Sequence, residues 1–239
     1  MSRPEVLVHR DGDLLAAAVA ARLITALVDA QRVRGVASLV LTGGRTGTAV
    51  LERLRGASAR DAVDWSRVDV YWGDERFLPA GHPDRNETQA RAAFLDHVPV
   101  SRVHAVEPSD GRFGDDPDAA AAAYAAVLDP MPEFDVFLLG VGEEGHTASL
   151  FPSSPAVLER ERTAVAVRDC PKPPPTRVSL TLPAIRRARE VWLMTTGEAK
   201  AEAVAAALAG ASEVDIPAAG ATGTGRTLWL LDTAAAADL

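Results

Sequence analysis

Residues 134–152 read FDVFLLGVGEEGHTASLFP. The apolar run 134–139 leads the backbone into a turn punctuated by Gly140, Gly142 and Gly145. That turn presents Glu143, Glu144 and His146 just before a new element opens near Thr147. A short apolar run bounded by glycine reads as a buried strand. Open α/β sheets bind ligands outside the carboxyl ends of their strands, so a titratable group handed to such an end marks a site. Imidazole titrates near about 6.5, within reach of metabolic pH. The alternative is a solvent-exposed loop histidine, and the rest of the chain weighs between the two.

Outward from this stretch, short apolar or β-branched runs alternate with alanine-rich segments of helical period. Strands are expected at 36–41, 68–72, 102–106, 163–167, 190–195 and 227–231. Helices are expected at 13–33, 46–54, 88–95, 117–128 and 200–208, with Asp11 or Asp13 capping the first. The segment before residue 36 reads as helical, with no strand of its own. Such alternation predicts an α/β fold, doubly wound, with a mainly parallel sheet covered by helices on both faces. No repeat or long linker divides the chain, so a single domain over 1–239 is expected. Residues 80–86 and 169–176 (DCPKPPPT) are irregular, and the prolines hold the second stretch extended and stiff.

Composition narrows the function. A hydrophobic share of 47% suits a substantial core, and a net charge of −8 argues against a general nucleic-acid or acidic-membrane binder. The single cysteine, Cys170, excludes an internal disulfide framework and suits a reducing compartment. The N-terminus has no signal-peptide core, and no apolar run reaches the roughly eighteen residues of a membrane span. A soluble, cytoplasmic protein is expected, a monomer or small homo-oligomer. Arginine far outnumbers lysine, and Lys172 and Lys200 are the only lysines.

Four constellations carry chemistry. In LTGGRTGTAV (41–50), Gly43 and Gly44 let the backbone approach a ligand, and the amides of Arg45 and Thr46 open a helix. Unpaired N–H groups and a partial positive charge there suit a phosphate, although a plain glycine turn is the competing reading. In WGDERFLP (72–79), Asp74, Glu75 and Arg76 bring both charge signs to one strand end. Asp74 is suited to orient a hydroxyl or assist proton transfer, and Arg76 to hold an anion or polarise a carbonyl. The competing reading is a solvated turn with an internal ion pair. In the third, His146 is suited to activate water as a general base, with Glu144 holding its tautomer. The fourth is a scatter of cations, Arg168, Lys172, Arg177 and Lys200, near expected strand ends. Neither a GxSxG elbow nor an activated cysteine is present, so no covalent nucleophile is indicated. His82, Asp84 and His146 fit no metal-ligand spacing.

Taken together, these residues resemble the 6-phosphogluconolactonase family. VGEEGHTASLFP is similar to its G-x-G-x-D-G-H-T-A-S-L-F-P signature, and WGDERFLP with Asn86 to a second motif. KPPPTRVSLTLPAIRRAREVWLMTTGEAKAEAV resembles a third, and LTGGRTG an amino-terminal phosphate turn. The resemblance runs in order over roughly 36–232. It implies a Rossmann-like fold, shared with glucosamine-6-phosphate deaminases. The implied reaction is hydrolysis of 6-phospho-D-glucono-1,5-lactone, a phosphorylated sugar lactone, to 6-phosphogluconate in the pentose phosphate pathway, with no metal and no cofactor. By the same resemblance, His146 activates the attacking water and returns its proton to the ring oxygen. Asp74 and Arg76 line the sugar site. Gly43, Gly44, Arg45, Thr46, Arg168 and Lys200 surround the phosphate, with Arg177 beside them. Three positions depart from the family pattern: Glu144 for aspartate, Arg45 for serine, and Ser153 for glycine. The competing functions are a glucosamine-6-phosphate deaminase or isomerase of the same fold and a non-catalytic sugar-phosphate sensor. The TASLF continuation after His146 favours the lactonase over the first. The absence of a basic segment in the first 35 or so residues disfavours the second.

Overall fold

The computed structural model describes residues 3–131 and 133–239. The elements run β1 (Glu5–His9), α1 (Gly12–Arg34), β2 (Ala37–Leu41), α2 (Gly44–Gly56), β3 (Val68–Trp72), β4 (Asp74–Arg76), α3 (Asn86–Ala93), β5 (Arg102–Val103) and α4 (Pro117–Leu128). They continue with β6 (Phe134–Gly140), α5 (Pro155–Leu158), β7 (Ala164–Val167), β8 (Arg177–Leu180), α6 (Leu182–Ile185), β9 (Ala188–Thr195), α7 (Ala201–Leu208) and β10 (Arg226–Asp232). Helix ends follow local chemistry. Asp11 caps α1 by accepting from the Leu14 amide at 2.8 Å, and Gly35 closes that helix in the left-handed region at φ +76°. Asp116 accepts from Asp118 and Ala119 ahead of α4, with Pro117 in the first turn, where its missing N–H costs nothing.

Seven strands form one parallel sheet in the order β1-β10-β9-β6-β2-β3-β5. Side chains alternate between its faces, as a period of two requires. Leu39, Val70, Leu138, Trp192 and Leu230 pack beneath α1 and α2. Val40, Tyr71, Phe137, Val191 and Trp229 face the opposite core with α4 and α7. The mainly parallel, two-faced α/β fold read from the sequence is therefore borne out. From β2 the chain proceeds to β3 on one side, while β6 leads to β9 and β10 on the other. The crevice between the carboxyl ends of β2 and β6 is thus the switch point at which such sheets take ligands.

Three expectations need correction. The segment before residue 36 contains a strand, β1, a half-exposed edge strand whose weak apolar pattern gives no local signal. The strand expected at 163–167 lies outside the parallel sheet: β7 pairs antiparallel with β8, and β8 with β4, in a three-stranded sheet. The strand expected at 102–106 is confined to Arg102–Val103. The chain passes from one sheet to the other at Gly73, whose amide donates to Leu41 and whose carbonyl accepts from Leu180. A Cβ there would meet the Phe137 ring at 2.9 Å, so only glycine allows β3 to turn into β4 this close to the core.

Candidate active site

The switch-point crevice holds a cavity of about 330 Å³. One wall is the start of α2. Gly43 stands at the N-cap and supplies no side-chain acceptor, so the first-turn amides of this 13-residue helix have no capping side chain. Such a terminus offers orphan donors and the positive end of the helix dipole. Arg45 is exposed at the rim, and Thr46 Oγ1 lies 3.3 Å from Thr196 Oγ1 at the end of β9. Lys200 enters from the turn preceding α7. Burial, reinforced by Lys172 and Arg45 and opposed by Glu143 and Asp232, holds its ammonium below the usual lysine range. Among the described residues neither Arg45 nor Lys200 forms an ion pair. Two unneutralised cations therefore share a wall with an open helix terminus, and this wall suits a dianion.

The opposite wall comes from the turn after β6. The Gly142 amide donates to His146 O at 2.9 Å, and Thr147 Oγ1 donates back to Gly140 O at 2.9 Å, so the turn is closed at both ends. A Cβ on Gly142 would run into the His146 ring, so that residue has to be glycine. The imidazole stacks on Phe151 with centroids 4.5 Å apart. Its Nδ1 is buried 3.1 Å from Glu144 Oε1, an ion-pair distance without the alignment of a full hydrogen bond. Nε2 is the ring nitrogen left accessible on this side chain, which lines the cavity. Burial lowers the His146 pKa below its ordinary value, against the opposing pull of Glu144, so the ring favours the neutral form a base requires. Burial pushes Glu144 upward, but its own backbone amide, Lys172 and His146 outweigh that and hold it at about 2.

The floor is β4. Asp74 is buried, accepts from Ser149 Oγ at 2.6 Å and lies 3.8 Å from Arg177. Asn86 Nδ2 donates to the Asp74 carbonyl at 2.8 Å. Arg76 lines the cavity while donating to the Asp84 carbonyl at 2.7 Å, and its Nε is buried without an acceptor. Glu75 plays no part in the cavity. Its carboxylate accepts from the amides of Arg76, Asn86 and Glu87 at 2.7, 2.7 and 2.9 Å, and so caps α3 from a neighbouring strand.

Gly43, Gly44, Arg45, Thr46, Asp74, Arg76, His146, Arg177 and Lys200 thus meet in one cavity. Glu144 stands behind His146 rather than in the lining. Arg168 is not brought there. It follows β7 of the smaller sheet and pairs at the surface with Asp118 at 2.6 Å. Arg177 lines the cavity, but its Nε and Nη2 donate to the carbonyls of residues 172–174, and its Nη1 faces Ser149 Oγ at 3.5 Å and Asp74 at 3.8 Å. Thr42, Asn86, Glu143, Met194 and Thr196, none of them assigned to the site from sequence, also line the cavity. Lys172 stood in the sequence only among the scattered cations. Both lysines of this arginine-rich chain prove to face the cavity, and that rarity was the available signal.

An uncapped helix terminus and a histidine on the opposite wall thus share one cavity at the switch point of an α/β sheet. Residues 10–229 match the family model described as glucosamine-6-phosphate isomerases/6-phosphogluconolactonase. The chain belongs to that family. It is 60% identical over 247 residues to a Streptomyces coelicolor protein named 6-phosphogluconolactonase, covering 99% of this chain and 95% of the relative. It is 54% identical to a Mycobacterium tuberculosis protein of the same name, covering 96% of each. The solved 6-phosphogluconolactonase of Trypanosoma brucei matches all of both chains at 28% identity and a TM-score of 0.88. A monomeric glucosamine-6-phosphate deaminase matches at 19% identity and a TM-score of 0.82, which shows the shared fold alone.

Proposed function

We propose that this chain hydrolyses 6-phospho-D-glucono-1,5-lactone to 6-phosphogluconate in the cytoplasm. The observation that carries the reading is the pairing, in one cavity, of a buried histidine with Nε2 accessible and an uncapped helix N-terminus flanked by Arg45 and Lys200. A lactone is an activated ester, so a positioned water and a base suffice without an acyl-enzyme. His146 Nε2 takes a proton from water as its oxygen attacks the lactone carbonyl carbon. A general base of this kind is worth about 10²–10⁴ in rate. The carbonyl electron pair moves onto oxygen, and Arg76 or a turn amide receives that oxyanion. As the tetrahedral intermediate collapses, the bond to the ring oxygen breaks and the imidazolium returns its proton there. The product is a carboxylic acid with a free C5 hydroxyl, and the acid then releases its proton to solvent to become the carboxylate. Asp74, fixed by Ser149 and Asn86, orients the sugar hydroxyls. Phosphate held at the α2 terminus by the amides of residues 44–46, Arg45 and Lys200 supplies remote binding energy that places the reacting carbon. The names of the curated relatives, at up to 60% identity, support the lactonase over the deaminase.

The test is hydrolysis of freshly generated lactone by purified protein in EDTA, corrected for spontaneous opening. Acceleration by the parent and loss of most turnover in folded His146→Asn are expected. A His146→Asn variant that turns over at the parental rate would remove the histidine from this role.

A further inference from the structure

Arg177 commits two of its three guanidinium nitrogens to the proline-rich loop. Nε donates to Pro174 O at 3.2 Å, and Nη2 donates to Lys172 O at 3.0 Å and Pro173 O at 3.2 Å. Prolines at 171, 173, 174 and 175 remove N–H donors from this stretch, so its carbonyls need donors from elsewhere. Buried Arg177 supplies them and fixes where Lys172 stands. Lys172 Nζ then donates to Glu144 Oε2 at 2.9 Å, while Glu144 Oε1 lies 3.1 Å from His146 Nδ1. One carboxylate is shared between an ammonium and an imidazole, each approaching a different oxygen.

We propose that Lys172 is a positioning residue for His146: the clamped loop holds the ammonium, the ammonium holds Glu144, and Glu144 holds the imidazole. The inference rests on His146 being the base assigned above. It also gives a reason for glutamate at 144, where the family signature has aspartate. The longer side chain spans both partners, with Oε2 at 2.9 Å from Lys172 Nζ and Oε1 at 3.1 Å from His146 Nδ1. The charged groups facing the imidazole are Glu144 on its own turn, Lys172 on the proline loop and Asp74 on β4, with Arg177 behind Asp74. The two carboxylates favour the imidazolium and Lys172 disfavours it.

The signs give opposed expectations. Lys172→Met removes the opposing cation and releases Glu144 to act on the ring, so the His146 titration and the acid limb of kcat/KM move to higher pH. Glu144→Gln removes the carboxylate, and both move to lower pH. Loss of an outer partner of a functional histidine costs on the order of 10–100-fold at metal sites, so a roughly tenfold fall in kcat is expected for Lys172→Met. Lys172→Arg restores the pairing and most of the rate. In a Glu144→Asp background, Lys172→Met moves the limb less than it does in the parent. The imidazole is titrated by NMR in the ligand-free protein, with its resonance assigned by difference from His146→Asn, and kcat and KM are measured alongside. An unmoved titration in Lys172→Met, with KM alone raised, would overturn the proposal in favour of direct substrate contact. So would equal effects of Lys172→Met in both backgrounds. Absence of turnover in the parent would instead defeat the lactonase reading, while the titration still tests the positioning.

Discussion

Replacing Lys200 by methionine removes a charge from the phosphate wall while keeping most of the side-chain volume. Lys200 is half-buried, has no ion-pair partner among the described residues and stands beside the open end of α2. A hydrogen bond to a charged group is worth about 1.5–3 kcal/mol, and each 1.4 kcal/mol is about tenfold. The loss in kcat/KM for the phosphorylated lactone should therefore be roughly 10- to 150-fold. Arg45 makes a useful contrast. It is exposed, and exposed ion pairs contribute about 0.2–1 kcal/mol, so Arg45→Met should cost only about 1.5- to 5-fold. The assay compares 6-phosphogluconolactone with unphosphorylated gluconolactone, each corrected for spontaneous opening. The Lys200 penalty should appear with the first and vanish with the second. Equal losses on both lactones would place Lys200 in general structure or in the chemistry, and a larger effect from Arg45 would put the phosphate at the rim.

Gly142→Ala sets a Cβ against the His146 ring, so kcat should fall at least tenfold with the far-UV circular dichroism unchanged; parental kcat would show that the turn yields freely. Glu75→Ala removes the carboxylate that accepts from the amides of Arg76, Asn86 and Glu87 at the start of α3, while Arg85 keeps Glu87 at 3.2 Å and the carbonyls of Leu78 and Val106. Leaving these buried amides without their acceptor costs about 1–3 kcal/mol, and at this chain length about 2–4 °C of Tm accompanies each kcal/mol, so a loss of roughly 2–12 °C is expected by calorimetry.

The two sheets were not equally legible. Strands β2, β3, β6, β9 and β10 are buried on both faces and read as nearly continuous apolar runs. The caps of α1 and α4 are decided by residues within a few positions of each helix start. Strands β4 (DER) and β8 (RVSL) carry no such signature, because they are short and interleave charged or polar residues with the few that enter the core, Val178 and Leu180. Edge strand β1 is held by pairing with β10, more than 200 positions away, and nothing nearby announces it.

The site divides along the same line. Local sequence determined that His146 and the first turn of α2 would each follow a strand end, since a glycine turn after an apolar run is a short-range event. Tertiary structure decided which cations share their cavity. Arg168 and Lys200 both lie just past strand ends, yet β7 belongs to the smaller sheet and leaves Arg168 on the surface with Asp118. The Lys172–Glu144–His146 chain was likewise invisible, because the 28 positions from Glu144 to Lys172 are closed only when Arg177 draws the proline loop onto the cavity. Propensity and periodicity act over one or two turns of chain, whereas these contacts depend on which strands pair and so exist only once both sheets have formed.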